Sequence, residues 1–449
     1  MTMLATAPAG LTRRMAGLAL LAAVLMIFAD PCRATEIERV VSPGGIEAWV
    51  VREPSPLIAV EFAFEGGSDQ DPPDKPGIAY LAASVWDDGA GDLDAKAFHG
   101  KLEEKSIGLS FSAGRDHVRG SLRTLTVNRD QAFEYLRLAL TAPRFDTDAV
   151  ERARAQLVSG LQRQGTSPNY IASRTWWQAA FPNHPYGWPV TGTPDSIAHI
   201  SIDDLKSYTR RVLARGKLKV AIVGDIETAD VGALLDHTFG LLPAEPDLTP
   251  VPDVVMQGLG RRIVVPMDVP QAVVTFGTRG IARSDPDFMA AYIVNHILGG
   301  GAFSSRLYQE VREKRGLAYG VSDSLTWLDH ASVLIGGTAT RSAVTGQAIG
   351  IIEQEIHRLA EAGPMEQEVA DAKSYLEGSY ALGLDTSSKI AGQLVQIQLD
   401  HLGIDYIDRR SSLIEAVTLD DTKRVAKRLL EGGLLVTVVG QPQGVTSTE

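Results

Sequence analysis

Apolar and polar positions alternate in two registers along this chain, and the registers change in the same order twice. Residues 201–224 (SIDDLKSYTRRVLARGKLKVAIVG) open on a Ser with an acidic residue three positions later. They continue with apolar positions at helical spacing and end in an apolar run. That pattern predicts a capped amphipathic helix followed by a buried strand. Residues 418–440 (TLDDTKRVAKRLLEGGLLVTVVG) repeat it, with Thr418 in the place of Ser201. Asp203 and Asp420 stand 217 residues apart, Gly224 and Gly440 216. An earlier helical pattern from Asp148 is matched by one from Gln367. A period this long is outside the range of solenoid repeats and predicts a duplicated domain.

Each half opens with strand-like runs (47–65 and 262–278), passes through helices and further strands (109–125 and 331–340), and closes with the repeated helix and strand. Strands and helices mix without strict alternation, so the fold class expected is α+β, built as two similar α/β domains. Between the halves, Pro243 to Pro252 carries four prolines, which suit neither helix interior nor sheet. The expected organisation is therefore residues 35–242 as a first domain, 243–261 as a Pro-rich linker, 262–441 as a second domain and 442–449 as a polar tail.

The first 34 residues read differently. Arg13 and Arg14 precede the apolar run Met15 to Phe28, which is followed by a polar break ending at Ala34. The run falls short of the ~20 residues of a comfortable membrane span, and the order is that of a signal peptide cleaved near Ala34, implying a periplasmic protein. An uncleaved membrane anchor is the alternative, and the paired arginines leave twin-arginine export open. Cys32, the single cysteine, would leave with this segment, so the remainder has neither disulfides nor thiolate metal ligands. The 449 residues carry 43 Lys+Arg against 55 Asp+Glu, a formal charge of −12, with 44% hydrophobic residues. These values exclude a disordered chain, and an acidic chain without a basic run lacks the footprint of a nucleic-acid binder.

Residues 298–321 (LGGGAFSSRLYQEVREKRGLAYGV) closely resemble the second-domain signature of the insulinase or pitrilysin-like M16 peptidases. Further landmarks of that family follow in order: residues 64–68 (FEGGS), 76–79 (PGIA), 182–187 (PNHPYG) and 192–196 (GTPDS). The resemblance implies a clamshell of two similar halves that holds peptide between them, with zinc as the cofactor of active members.

The departure falls where the chemistry should be. Active members carry His-x-x-Glu-His after the PGIA-type step, where two imidazoles at i and i+4 hold zinc and the glutamate activates its water. Here the five positions are Tyr80, Leu81, Ala82, Ala83 and Ser84, which supply neither ligands nor base. The family's third ligand, a glutamate, should fall within 151–164. The only carboxylate there is Glu151, and the matching position lies near Ser159 or Gly160. None of the nine histidines forms a pair on one helical face, and His184 and His296 read as packed or hydrogen-bonded. No metal or other cofactor is expected in this chain, and the acidic stretch Asp87, Asp88, Asp92 and Asp94 reads as a solvated loop.

What the resemblance carries over is in the second half: Arg312 and Tyr319 match the family's Arg and Tyr that bind the substrate backbone. Leu307 and Val311 predict a helix ended by Gly316, with Arg312 in its last turn and Tyr319 on the strand after it. From spacing alone the two residues read as a helix C-terminal Arg and a core Tyr beside Leu317 and Val321. Arg306, on the same helix, lies outside the motif. Gly299, Gly300 and Gly301 read as a flexible step before a Ser304 or Ser305 cap. A glycine-rich loop that helps receive substrate in the noncatalytic subunit of the mitochondrial processing peptidase is a parallel. The expected function is that of a noncatalytic, substrate-binding subunit of an exported heterodimer, whose catalytically intact M16-like partner holds the zinc. A stand-alone peptide-binding or scaffold protein, adding peptide to a sheet edge, is the alternative.

Overall fold

The computed structural model describes residues 36–448, so the leader read in the first 34 residues lies outside the described residues. Two sheets organise the rest. The first has β1 (Ile37–Val41), β2 (Glu47–Arg52), β3 (Leu57–Glu65), β6 (Gly108–Ala113), β7 (His117–Leu125) and β8 (Lys219–Gly224) in the order β1-β2-β8-β3-β7-β6. A two-residue ladder, β4 (Gly89–Ala90) with β5 (Leu93–Asp94), stands apart. The second sheet has β9 (Arg262–Pro266), β10 (Gln271–Arg279), β11 (Ala318–Trp327), β12 (Ser332–Arg341) and β13 (Leu435–Gly440) in the order β9-β13-β10-β12-β11. From β2 onward the first order maps onto the second strand for strand, down to the parallel pairs β2–β8 and β9–β13.

Local detail repeats too. Ser201 and Asp204 cap the helix Ile202–Val212 reciprocally, as Thr418 and Asp421 cap Leu419–Leu430. Gly224 and Gly440 end the following strands with φ of 147°. In the sheets, Phe62 lies across from Gly120 and Phe276 from Gly336. A Cβ on Gly120 would come 2.0 Å from the Phe62 ring, and one on Gly336 2.5 Å from that of Phe276, so both glycines clear space for a ring crossing the sheet. Residues 243–261 carry neither helix nor strand.

The central strands are apolar on both faces, and that dictates how the halves join. In β2, β3 and β8, Val50, Val60, Phe62 and Ile222 face helices of the first half, while Trp49, Val51, Ala63, Ala221 and Val223 face the other way. The second face is covered by the helix Ser387–Leu399, through Ile390, Leu394 and Val395, from the second half of the chain. Reciprocally, the helix Pro168–Ala180 of the first half lies on the second sheet, where Trp176 packs on Leu435 and donates to its carbonyl at 3.0 Å. Gly277 leaves room for that indole: a Cβ there would sit 2.5 Å from it. Each half thus completes the other's sheet. Among the described residues no helix is long and apolar enough to cross a membrane.

Candidate functional site

Ile78–Ala83 is a short helix whose first N–H groups are tied down by a distant carboxylate: Asp71 accepts from Gly77 at 2.6 Å and from Ala79 at 2.9 Å. Burial pushes the Asp71 carboxyl up to about 7 despite these bonds. Tyr80 and Ser84 stand one turn apart on the exposed side, and Ala83 is buried. The Ser84 hydroxyl donates back to the Leu81 carbonyl at 2.8 Å. On the long helix Thr147–Gln164, which packs alongside, Ser159 accepts from Arg163 at 2.6 Å, Gly160 faces open space and Glu151 pairs with Arg154 at 3.2 Å. A phenol, an alanine methyl and a hydroxyl already bonded to its own helix do not fit zinc, which takes imidazole, thiolate or carboxylate.

The histidines are dispersed, but one meets two carboxylates through the tertiary fold. Asp116 and His117 enter β7, and Asp329 lies in the turn between β11 and β12; their ligand atoms are within 4.8 Å of one another. The group is knitted by its own bonds, since Asp116 accepts from the Tyr186 hydroxyl and from the Asp329 N–H, while His117 and Asp329 approach to 3.4 Å. Burial raises both carboxyls and lowers the imidazole, which keeps His117 neutral. No spacing within one helix announces this grouping. In the acidic stretch, Asp94 caps the helix Ala95–Glu104 through the Ala97 N–H at 2.8 Å and Asp88 pairs with His99 at 2.8 Å, so these two are not merely solvated.

In the second half, Leu307 and Val311 are fully buried and Gly316 turns the chain with φ of 58°. The segment between them, Tyr308–Glu313, is a π-helical turn, a form that recurs at functional sites. It sets the Arg312 guanidinium 4.8 Å from the Tyr308 ring centre and 4.9 Å from that of Tyr319. Phe303 meets the Tyr308 edge at 5.0 Å. Tyr319 is 85% exposed and Phe303 70%, so the structure corrects the core reading of Tyr319. A break in register between Ala318 and Val321 swings its ring out of the face that Leu317 and Val321 share.

The glycine triplet also differs from expectation. Gly299 and Gly300 belong to a second π-helical turn, His296–Gly300, and a Cβ on Gly299 would lie 2.7 Å from the Asp323 carboxyl carbon. Asp323 is buried, accepts from the Asn295 amide at 2.6 Å and is held well above the usual carboxylate range by burial. Close packing requires Gly299, and the triplet is not a flexible step. Ser304 and Ser305 donate back to Gly301 and Ala302 at 2.8 Å and cap no following helix.

Residues 199–376 match the family described as the peptidase M16 inactive domain. That segment is an M16 domain, and the chain as a whole is similar to M16 proteins. It is 29% identical to the non-peptidase homolog YmxG of Helicobacter pylori over 74% of this chain and 77% of that protein. An uncharacterized zinc protease of Mycobacterium tuberculosis is 27% identical over 93% and 95%. A peptidase M16 inactive domain from Pseudomonas fluorescens, of known crystal structure, superposes with a TM-score of 0.85 at 25% identity, covering 92% of this chain and all of that one. The matched domain and the first of these relatives are both of the inactive M16 type. The sequence resemblance sets Tyr80, Ala83 and Ser84 against the zinc motif of active members, and Arg312 and Tyr319 against their substrate-contact pair.

Proposed function

We propose that this M16 chain is the noncatalytic, substrate-binding subunit of an exported heterodimer, supplying Arg312 and Tyr319 to a peptide held at the zinc of an intact partner. One contrast carries the reading. The Tyr80 to Ser84 turn has no imidazole, thiolate or carboxylate to hold zinc or to activate its water, while the second half presents a guanidinium between two phenol rings at the surface. A dead site beside a kept recognition pair suits a subunit that works in trans. Zinc and general base then come only from the partner. Export rests on Arg13, Arg14 and the apolar run that follows.

Three measurements test this. Metal analysis of the purified chain is expected to find no stoichiometric zinc. The triple change Tyr80→His, Ala83→Glu, Ser84→His is expected to leave it inactive, because Ser159 and Gly160 still offer no third ligand. Mixed with an M16 chain that has His-x-x-Glu-His, it is expected to form a complex of summed mass in light scattering, as an interface above ~1,000 Å² would give. Two monomer masses, with the partner's turnover unchanged, would favour the stand-alone peptide binder.

A further inference from the structure

Arg115 sits in the hairpin between β6 and β7, and its guanidinium lies 3.9 Å from the centre of the Trp177 ring on the helix Pro168–Ala180. Trp177 is in turn stacked on Phe181 at 5.6 Å. Other largely buried arginines have acceptors: Arg306 has Glu368, Arg283 has the Tyr406 hydroxyl, Arg410 the Leu376 carbonyl and Arg154 the Ile200 carbonyl. Arg115 has none among the described residues, and its Nε is enclosed without a partner. Asp116, next in sequence, spends both oxygens on the Tyr186 hydroxyl and the Asp329 N–H. Burial lowers the Arg115 pKa only to about 10, so the group is a cation at neutral pH. A half-buried cation whose Nε is enclosed without an acceptor is costly to keep.

In front of it lies a cavity of about 200 Å³ lined by Arg115, Tyr170, Arg174, Trp177 and residues 187–191, Trp188 among them. Arg174 likewise has no hydrogen bond or ion pair among the described residues. No acidic side chain lines the cavity. Two free guanidinium forks beside two indoles and a phenol are the donor set for a planar anion carried on an apolar body. The volume is that of a single residue.

We propose that this cavity is a carboxylate-recognition subsite that anchors a peptide ligand through its terminal carboxylate or an acidic side chain, clamped by Arg115 and Arg174 between the tryptophans. That the ligand is a peptide rests on the function proposed above; the carboxylate chemistry does not. The test titrates the purified chain, following tryptophan fluorescence and calorimetry, with four probes. These are a short peptide with a free C-terminus, its C-terminal amide, the amide with one internal Glu, and N-acetyl-leucine beside its amide. Either acid-bearing peptide is expected to bind at least tenfold tighter than the plain amide, and which of the two does so identifies the source of the carboxylate. Arg115→Met and Arg115→Lys are expected to abolish the preference, and Arg174→Gln to reduce it severalfold. Because the guanidinium is uncompensated, Arg115→Met is expected to leave the melting temperature unchanged or raised.

Preference for N-acetyl-leucine alone, with no peptide bound, supports the subsite and overturns the peptide reading. Equal binding of acids and amides overturns the subsite, as does a preference that survives both Arg115→Lys and Arg174→Gln. A fall in melting temperature with Arg115→Met and no acid preference in the parent chain returns Arg115 to simple packing on Trp177.

Discussion

Arg312→Ala and Tyr319→Phe are each expected to lower the turnover of the proposed heterodimer, once reconstituted, by about 10²–10³-fold, the loss typical when a preorganised donor to a developing oxyanion is removed. Arg312 is half-buried between the Tyr308 and Tyr319 rings, so its fork is oriented before any ligand arrives. It has no strong acceptor of its own, since Glu313 approaches its Nε only to 3.8 Å. Tyr319→Phe keeps the ring under the guanidinium and deletes only the O–H, so its effect reports the hydroxyl. Because that ring is 85% exposed, the change is expected to alter stability by less than about 0.5 kcal/mol. Steady-state kinetics and thermal melts of the assembled pair are the measurements. A kinetic loss with unchanged assembly and melting temperature supports contact with substrate. Unchanged turnover, or a parallel collapse in stability, would assign the pair a structural part. Lys314→Ala, which removes an exposed lysine from the same segment and leaves the buried Glu310 paired with Arg315, serves as the control.

Much of this architecture can be read from residue order because its signals are local. The Ser201 and Thr418 caps, the apolar runs into Gly224 and Gly440 and the missing imidazoles at 80 and 84 each occupy a few neighbouring positions. The rest is set by tertiary contact. Apolar runs with both faces buried, as in Val220 to Val223, require a cover on each side, but nothing in the run names the cover. That the helix Ser387–Leu399 provides it for the first sheet, and Pro168–Ala180 for the second, follows from the joining of the halves. Spacing alone puts Tyr319 in the core because strict alternation sets it on the face of Leu317 and Val321, and the irregularity after Ala318 breaks that alternation. Gly299 resembles a flexible residue in sequence because its constraint is the carboxyl of Asp323 on a later strand. The Asp116, His117 and Asp329 grouping is hidden in the same way, its members standing on two separate segments.

Arg306 illustrates the limit most sharply, and the expected result for Arg306→Ala is the second large effect. On its helix Arg306 has the spacing of an uninvolved position. In the fold it is only 9% exposed and forks onto Glu368, with Nε at 2.8 Å and an Nη at 2.6 Å, while the same Nη reaches the Gly363 carbonyl at 3.3 Å. Glu368 also accepts the Met365 N–H at 2.8 Å, so one carboxylate ties the start of the helix Glu366–Leu382 to the Arg312 segment. Removing one member of a buried pair costs about 3–5 kcal/mol, because the other charge is left desolvated and alone. Glu368 retains some access to water, 21% of its side chain, which places the expected loss near the lower end, at about 3 kcal/mol. Burial pulls the Glu368 pKa up, but the Arg306 bonds outweigh it and the net shift is downward. A carboxyl with a depressed folded-state pKa contributes stability that is fully present above its unfolded value, near 4.3, and is lost as pH falls through the folded value. The gap in unfolding free energy between the parent chain and Arg306→Ala is therefore expected to be largest at neutral pH and to close below the ordinary glutamate range. Denaturant melts at pH 7 and at pH 3 measure it. A gap that does not depend on pH would mean that Arg306 acts through packing of its aliphatic stem and not through its charge.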